Sequence, residues 1–382
     1  MKVVLIGTVA SSMFGFRMPL IKALLNRNCQ VVAFAMNYTE QQKEDLIKLG
    51  VTPVDYSLSR SGLNPLADLK TMLFLKRKLT QIAPDVVLSY FAKPVIYGTL
   101  AAALAKVPHR VAMLEGLGFT FTDQPAGLNF KTKLIRGVQV ALYKLSLPFA
   151  NRVVFLNPDD PVDLITRYNI KTQKVDVLGG IGVDLQDYPV HDFNQGPVRF
   201  IFIARLLAEK GVYEYLKAAR ITKRKYPDAE FVVLGGFDES NSGGLKQAEL
   251  NGFIEDGSVI YPGHVDNVNE WLIDASVFAL PSYYREGVPR STQEAMAIGR
   301  PILTTDVPGC RETVVEGENG FFVPPWSPEQ LAEKMMWFIE HPDQIETMGK
   351  ASRRIAEERF DVHKVNVKML KIMGIENNET SL

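Results

Sequence analysis

The segment VRFIFIARLLAEKG, residues 198–211, places a short run rich in apolar and β-branched residues directly before a polar turn. Similar runs alternate with segments of helical length along the whole chain, which is the pattern of parallel sheets covered by helices on both faces. Long helical patterns close the chain at residues 327–358 and 362–373. We predict strands at residues 3–6, 31–34, 86–89, 110–114, 152–155, 175–178, 198–204, 230–234, 259–261, 277–280 and 301–304.

The strand and helix pattern breaks in residues 179–197, a stretch rich in Gly, Asp and Pro, and then restarts. A structureless connection of that length is uncommon inside one compact domain, so two doubly wound α/β domains are favoured over a single barrel. We predict an N-terminal domain over residues 1–190, a C-terminal domain over 191–358, and a helical segment, 359–382, that returns to the first domain. Ligands of such sheets bind outside the carboxyl ends of the strands, so two facing sheets predict a site in an interdomain cleft.

The composition excludes several classes of protein. Forty-three Lys and Arg balance 43 Asp and Glu over 382 residues, so net charge gives no reason to expect a nucleic-acid partner. Cys29 and Cys310 are the only cysteines, which argues against a disulfide framework or zinc knuckle and fits a reducing compartment. No charge-free apolar run approaches the ~20 residues that a membrane-spanning helix needs.

Two cations follow the strand at residues 198–204. Arg205 and Lys210 lie in the predicted turn from strand to helix, where they and the helix N-terminus could converge on one anion. A diphosphate would gain charge-assisted hydrogen bonds there. The alternative is two solvated charges at the start of a helix.

A second polar segment, EGVPRSTQE at residues 286–294, follows the strand at 277–280. Glu286 stands in a Gly-Pro loop and Glu294 about one turn into a helix, so both are candidates to accept hydrogen bonds from the hydroxyl groups of a sugar and a ribose. Gly287 lets the backbone approach a ligand closely. The alternative is a helix with acidic residues near its N-terminus, which the helix dipole favours by itself.

These two segments, with TDVPGCRE at residues 305–312 and the glycines at 317 and 320, resemble the donor-binding half of glycosyltransferase family 4 in order and spacing. The resemblance implies two facing Rossmann-like domains (the GT-B fold), a nucleotide-sugar donor and retention of anomeric configuration. It also implies that Arg205 and Lys210 grip the donor diphosphate, that Glu286 contacts the transferred sugar, and that Glu294 holds the ribose. The other donor-binding residues that it implies are Gly263, Gly287, Val288, Pro289 and Arg290.

The first half contains FRMP at 16–19, SRSGLNP at 59–65 and EGLGF at 115–119. Together these pieces resemble the branch of the family that extends saccharides on polyprenyl diphosphate. The resemblance implies transfer of an N-acetylhexosamine, N-acetylgalactosamine first, from a UDP-sugar to a polyprenyl-diphosphate-linked saccharide in O-antigen, capsule or glycoprotein assembly. We predict that the first strand ends at Gly7 and that a loop, residues 8–15, leads into a helix. The candidate acceptor-binding residues are Gly7, Phe16, Arg17, Arg60 and Gly116.

Glu115 departs from the family pattern, because many members place a His after the strand at residues 110–114. We predict that Glu115 accepts a hydrogen bond from the acceptor hydroxyl or the donor sugar, so the predicted catalytic residues are Arg205, Lys210, Glu286 and Glu115. The alternative is a Glu that ties down the turn formed by residues 116–118.

No metal or other cofactor is predicted. The sequence has no Asp-x-Asp triplet, and its five His residues lack the spacing of ligand pairs. Cationic side chains and a helix dipole would then neutralise the departing diphosphate. A nucleotide-sugar 2-epimerase and a non-catalytic scaffold of a glycan-assembly complex remain alternatives, whereas the GLGFTF run at 116–121 lacks the third Gly of a nicotinamide-binding fingerprint.

The two halves of the chain differ in charge. Residues 1–190 carry 22 Lys and Arg against 14 Asp and Glu, whereas residues 191–382 carry 21 against 29. Residues 69–78 and 129–147 mix apolar and cationic side chains, as helices on an anionic membrane surface do. The family resemblance decides the prediction: the polyprenyl-diphosphate acceptor that it implies stays in the bilayer, so we predict a cytoplasmic protein bound peripherally to the inner face of the plasma membrane. The alternative is that these helices pack their apolar faces on their own sheet.

Overall fold

The structure is a computed structural model that describes residues 1–58, 64–191, 196–238, 241 and 243–375. It divides the chain into two compact units. The first contains residues 1–120, 129–181 and the chain from 362 onward, and the second contains residues 121–128 and 182–361.

These boundaries differ from the predicted ones at 190 and 358, and the prediction also placed residues 121–128 in the first domain. The reason for the shift near 182 lies in the hydrogen bonds of that segment. The N–H of Gly182 donates to the side chain of Gln293, and the N–H of Val183 donates to the carbonyl of Phe360. The segment is therefore tied to the second unit.

The first unit contains a seven-stranded parallel sheet. Val3 to Ile6 of its first strand are completely buried, as expected for a strand covered on both faces. Its strands are β1 (Lys2–Val9), β2 (Gln30–Met36), β3 (Val51–Asp55), β4 (Val86–Tyr90), β5 (His109–Leu114), β6 (Arg152–Phe155) and β7 (Val175–Val177). They lie in the order β3-β2-β1-β4-β5-β6-β7.

The second unit contains a six-stranded parallel sheet. Its strands are β8 (Arg199–Ile203), β9 (Glu230–Leu234), β10 (Ile260–Gly263), β11 (Val277–Leu280), β12 (Ile302–Thr305) and β13 (Gly320–Val323). They lie in the order β10-β9-β8-β11-β12-β13. In both sheets the order reverses beside the first strand, which creates a switch point between β1 and β4 and another between β8 and β11.

The connections are mainly helical, as the sequence pattern predicts. The helices are α1 (Ala10–Phe16), α2 (Met18–Leu25), α3 (Glu40–Lys48), α4 (Pro65–Ile82), α5 (Thr99–Leu104), α6 (Phe130–Ser146), α7 (Asp159–Pro161), α8 (Val212–Lys225), α9 (Gln247–Glu255), α10 (Val268–Asp274), α11 (Arg290–Ile298), α12 (Pro328–Glu340), α13 (Pro342–Arg359) and α14 (Val362–Ile372). Short π-helical turns cover Pro94–Gly98 and Val162–Thr166, and 3₁₀ turns cover Phe119–Phe121, Leu147–Phe149, Ala208–Lys210 and Arg311–Thr313.

The structure corrects several details of the sequence prediction. The strands β3 and β13 were missed; both are edge strands, and β3 contains Pro53, a residue that edge strands tolerate but that weakens a strand prediction. The predicted helix at 327–358 is two helices, because Pro342 lacks the N–H that a continuous helix requires. The predicted loop at 8–15 is wrong, since β1 continues to Val9 and α1 begins at Ala10.

Candidate active site

The carboxyl ends of β8 and β11 lie side by side in the second unit, because β11 pairs with β8 at the switch point of the sheet. The two segments that the sequence analysis selected follow these strands directly: residues 204–211 after β8 and residues 281–289 after β11. In open parallel sheets this is the position where ligands bind.

Lys210 and Glu286 form the central contact of this site. The Lys210 Nζ lies 2.7 Å from the Glu286 Oε2, and both side chains are only partly accessible, at 14% and 12% exposure. The other carboxylate oxygen, Oε1, accepts a hydrogen bond of 2.9 Å from the Ser282 hydroxyl. The Lys210 ammonium also lies 5.3 Å from the centre of the Tyr284 ring, a cation–π distance. Two residues predicted separately from sequence are therefore one ion pair.

Close backbone contacts fix the loops that carry this pair. Gly211 has a φ of +78°, and a Cβ there would overlap the carbonyl of Pro281 at the end of β11. Gly309, with a φ of +85°, lies against the second loop from the other side, where a Cβ would be 2.5 Å from the Gly287 carbonyl oxygen and 2.6 Å from that of Glu286. The TDVPGC segment thus supports the Glu286 loop through its backbone.

Cys310, the neighbour of Gly309, also packs beneath the loop that carries Glu286. Its side chain is fully buried, and its Sγ lies 3.8 Å from the Ser282 carbonyl oxygen. Burial, followed by the nearby charge of Glu286, raises the pKa of the Cys310 thiol to about 12. The thiol is therefore protonated at neutral pH and packs as a small apolar group.

Arg205 is placed differently from Lys210. Its side chain is 56% exposed, and its Nη1 lies 3.3 Å from the Asp238 Oδ2 in the segment after β9. The structure therefore does not bring Arg205 into the Lys210–Glu286 contact. The sequence analysis missed Asp238, because no spacing relates it to Arg205.

Glu294 lies in α11, held by two partners. Its Oε1 accepts hydrogen bonds from the Tyr188 hydroxyl at 2.9 Å and from the Arg290 Nε at 2.8 Å. Burial and the Glu294 charge raise the pKa of the Tyr188 phenol, so the hydroxyl stays protonated and can donate. Arg290 was predicted to bind the donor and is paired with Glu294 here, whereas Tyr188 was missed.

The remaining predicted donor residues contribute mainly backbone. Val288 is buried, and its carbonyl accepts a hydrogen bond from the Gln293 side chain. Pro289 is the N-cap residue of α11 and makes no side-chain hydrogen bond to the helix. The N-terminus of this helix carries the positive end of the helix dipole. Gly263 ends β10 with a φ of +95°, and its carbonyl accepts from the N–H of Gly235.

In the first unit, Glu115 directly follows β5 and precedes Gly116, whose φ is +99°. Its side chain is 8% exposed and forms an ion pair with Arg17, whose side chain is 3% exposed. The Arg17 guanidinium carbon lies 4.4 Å from the centre of the Tyr90 ring. Arg17, which was expected to hold an acceptor anion, instead faces a carboxylate of its own unit.

The other predicted acceptor residues have distinct positions. Gly7 is buried inside β1, where a Cβ would overlap the Tyr90 side chain and where its carbonyl accepts from the Tyr56 hydroxyl. Phe16 ends α1 and is 38% exposed. Arg60 lies outside the described residues.

Two further observations concern metals and membranes. Within the described ranges, we find no cluster of three or more His, Cys, Asp or Glu side chains arranged to hold a metal ion. In the same part of the chain, every helix is too short or too polar to cross a bilayer.

The fold is that of the GT-B glycosyltransferases. Solved structures that superpose on the chain include sucrose-phosphate synthase from Thermosynechococcus elongatus, with a TM-score of 0.77, 17% identity and coverage of 97% of this chain and 98% of that one. Anabaena HepE in complex with UDP superposes with a TM-score of 0.76 at 18% identity, covering 98% of this chain and all of HepE. The two Rossmann-like units of the chain therefore have the GT-B form.

Sequence comparison gives the family. The family model described as "Glycosyl transferases group 1" matches residues 186–355, and the one described as "Glycosyl transferase 4-like" matches residues 2–157. The N,N'-diacetylbacillosaminyl-diphospho-undecaprenol alpha-1,3-N-acetylgalactosaminyltransferase of Campylobacter jejuni is 33% identical over 354 residues, 89% of this chain and 90% of that protein. The UDP-Gal:alpha-D-GlcNAc-diphosphoundecaprenol alpha-1,3-galactosyltransferase of Escherichia coli is 25% identical over 69% of this chain and 68% of its own length. The chain belongs to glycosyltransferase family 4.

The backbone contact beneath Glu286 can be tested with a pair of glycine variants. We expect Gly309→Ala to lower transfer activity at least ~10-fold, because its methyl group pushes on the Glu286-Gly287 backbone and displaces the carboxylate. Gly317→Ala is the matched control: it has a similar left-handed φ of +76° but open space around its Cβ. The measurement is the initial rate of sugar transfer, normalised to the folded fraction from circular dichroism. Equal losses in both variants would mean that backbone strain alone explains them.

Proposed function

We propose that the protein is a retaining glycosyltransferase that moves an N-acetylhexosamine from a UDP-sugar onto a polyprenyl-diphosphate-linked saccharide. N-acetylgalactosamine is the first candidate for the sugar, and assembly of an O-antigen, a capsule or a glycoprotein glycan is the process. The observation that carries the proposal is the Lys210–Glu286 pair at the switch point of the second sheet.

The names of the relatives support the substrates. The Campylobacter relative transfers N-acetylgalactosamine to a diphospho-undecaprenol-linked sugar, and the Escherichia coli relative transfers galactose from UDP-Gal to another diphospho-undecaprenol-linked sugar. HepE, which shares the fold, has been solved with UDP and with UDP-glucose. The two relatives are both named for a diphospho-undecaprenol-linked acceptor, and a UDP-linked group appears in the name of the Escherichia coli relative and in the HepE complexes.

Lys210 is the group we assign to the departing diphosphate. An ammonium has three N–H donors, and the structure uses one of them on the Glu286 carboxylate. The other donors can reach a phosphate oxygen while Glu286 and the Tyr284 ring keep the lysine in place. We assign Arg205, with a more exposed side chain, to the same diphosphate, for which it must exchange its contact with Asp238.

Glu286 and Glu294 can accept hydrogen bonds from neutral groups that carry several hydroxyls. Glu286 is oriented by Ser282 and Lys210, so its carboxylate is a fixed acceptor for hydroxyls of the transferred sugar. Glu294 is oriented in the same manner by Tyr188 and Arg290, and we assign it to the ribose. The N-terminus of α11 adds the partial positive charge of the helix dipole, which favours a phosphate.

We propose a front-face reaction. The bond between the anomeric carbon and the diphosphate oxygen breaks as the bond to the acceptor oxygen forms on the same face of the sugar. The proton of the acceptor hydroxyl passes to the departing phosphate, and the electron pair of the broken bond stays on that phosphate. Glu115 accepts a hydrogen bond from the acceptor hydroxyl or the donor sugar. Lys210 and Arg205 stabilise the negative charge that develops, so the reaction needs no divalent ion.

A donor screen tests the proposed reaction. Radiolabelled UDP-GalNAc, UDP-GlcNAc, UDP-Gal and UDP-Glc are incubated with the protein and bacterial lipid-linked saccharides, with and without EDTA, and the anomeric configuration of the product is read by NMR. We expect label in the lipid fraction from an N-acetylhexosamine donor, a retained configuration and an unchanged rate in EDTA. Isomerisation of a UDP-sugar without acceptor would support the 2-epimerase, and loss of transfer in EDTA would refute the metal-independent mechanism.

Lys210→Ala tests the role of the cation. We expect this change to lower kcat on the order of 10²-fold, because removal of one oriented donor to a developing oxyanion costs about 3 kcal/mol. Lys217→Ala is the control, since Lys217 is an exposed lysine on α8, away from the strand ends. Steady-state kinetics and thermal unfolding are measured for both. A Lys210→Ala enzyme with the wild-type kcat would remove the assigned role.

The first unit carries a surface suited to the membrane that would hold such an acceptor. On α4, Leu66, Leu69 and Leu73 are 75%, 47% and 50% exposed, although Leu75 and Leu79 of the same helix pack inward. The spacing of the three exposed leucines places them on one helical stripe. The helix therefore packs one apolar stripe inward and exposes a second one to solvent. Packing on its own sheet accounts for the first stripe but does not explain the exposed leucines.

On α6 the same combination recurs. Phe130 and Leu134 are 82% and 57% exposed, and the exposed Lys131 and Lys133 stand between them. Both α4 and α6 pack against the π-helical turn Pro94–Gly98 of the first unit. We propose that these two helices bind the anionic cytoplasmic leaflet through apolar insertion and lysine contacts.

Vesicle flotation tests this surface. We expect the protein to float with phosphatidylcholine vesicles containing phosphatidylglycerol at low salt, and the double variant Lys131→Glu/Lys133→Glu to bind at least ~10-fold more weakly, since each basic residue near the surface contributes about 1 kcal/mol. The control, Lys217→Glu/Lys246→Glu, makes the same charge change at exposed sites of the second unit. Equal recovery with neutral and anionic vesicles would contradict the proposal.

A further inference from the structure

Arg17 is held in a closed setting at the junction of two helices. It separates α1 from α2, where Pro19 lacks the N–H that would continue the first helix. The residue is 2% exposed, and its guanidinium contacts the Glu115 carboxylate, the Tyr90 ring at 4.4 Å and the Phe16 carbonyl at 3.2 Å. A cation so enclosed is poorly placed to receive a large diphosphate from solvent.

Glu115 depends on this cation for its position. It stands at the carboxyl end of β5, next to the left-handed Gly116 and two residues before the left-handed Gly118. Its Oε1 is buried against Arg17, so the 8% of the side chain that stays exposed lies on its other atoms. A buried carboxylate that loses its cation is left uncompensated, which is strongly unfavourable, and it would turn toward water.

Tyr90 and Gly7 complete the support. Tyr90 ends β4 and is completely buried, and burial raises the pKa of its phenol to about 12, so the ring stays neutral beside the guanidinium. The ring lies over the backbone of Gly7 in β1, where any side chain would displace it. The contacts run from β1 through β4 to the helix junction and end at Glu115 after β5.

We propose that Arg17 is a positioning residue that fixes the orientation of the Glu115 carboxylate, with Tyr90 and Gly7 holding Arg17 in place. This inference rests on the proposed function, in which Glu115 contacts the acceptor hydroxyl or the donor sugar. It replaces the acceptor-diphosphate role that the sequence suggested for Arg17. If Arg17 has this role, its loss lowers kcat only by displacing the Glu115 carboxylate.

A double-mutant cycle tests the inference. The variants are Arg17→Met, Glu115→Gln and the two combined, and kcat and the KM values for UDP-sugar donor and lipid-linked acceptor are measured. We expect Glu115→Gln to lower kcat on the order of 10²-fold and Arg17→Met at least ~10-fold, with both KM values within about 2-fold of wild type. The combined variant should be no slower than Glu115→Gln alone, because Arg17 has nothing left to orient. Arg17→Lys should recover part of the loss.

Two controls separate positioning from folding. Arg300→Met removes another buried arginine, which caps carbonyls at the end of α10 in the second unit; it is expected to lower thermal stability and leave kcat per folded molecule unchanged. If Arg17→Met does not fold, Tyr90→Leu removes the ring beside Arg17 and should lower kcat more than Tyr90→Phe, which keeps the ring.

The outcomes are distinguishable. Multiplicative losses in the combined variant would show that Arg17 acts independently of Glu115, and a raised acceptor KM with wild-type kcat in Arg17→Met would return it to acceptor binding. Either result overturns the inference and leaves the proposed transferase intact. Wild-type kcat in Glu115→Gln would refute the assigned role of Glu115 and with it that of Arg17.

Discussion

The ion pair between Lys210 and Glu286 is the contact on which the site in the second unit depends. The two residues are 76 positions apart, and they meet because β8 and β11 are neighbours whose carboxyl ends coincide. Glycines make the meeting possible: Gly211 and Gly309 let three loops approach one another more closely than any side chain would permit. Backbone packing therefore brings together the loops that carry the two charges.

The first unit also places a charged pair at its strand ends, but with a different consequence. Arg17 and Glu115 are almost completely buried, whereas Lys210 and Glu286 keep part of their surface open. A desolvated pair loses much of its Coulomb gain to the cost of leaving water, so it contributes orientation more than net stability. A partly open pair retains donors that a ligand can reach. The cations differ more than the carboxylates: the Arg17 side chain is 3% exposed and that of Lys210 is 14% exposed. We therefore propose a positioning role for Arg17 and a contact with the donor for Lys210.

The sequence predicts the interior of the fold better than its margins. The central strands of both sheets are apolar and β-branched, since both faces are covered, and all of them were found. The edge strands β3 and β13 were missed, because a strand paired on one side tolerates Pro53 or begins at Gly320. Lys210, Glu286 and Glu294 were predicted because the order and spacing of their segments resemble the family pattern. Ser282 and Tyr188, the partners of Glu286 and Glu294, were not predicted, nor was Asp238, the partner of Arg205, because only the fold brings these residues together.

Arg17 shows why charge and position along the chain are insufficient to assign a role. The sequence places an arginine near the end of the first strand, where an anion would be expected to bind. The sequence does not show the direction of the Arg17 side chain. That direction depends on Pro19, which separates two helices, on the Tyr90 ring, against which the guanidinium packs, and on Glu115, which follows β5. These three come from different strands and loops. The charge of a cation surrounded in this way is already neutralised by a carboxylate of the protein. We therefore infer that Arg17 contributes to the reaction through the carboxylate that it holds.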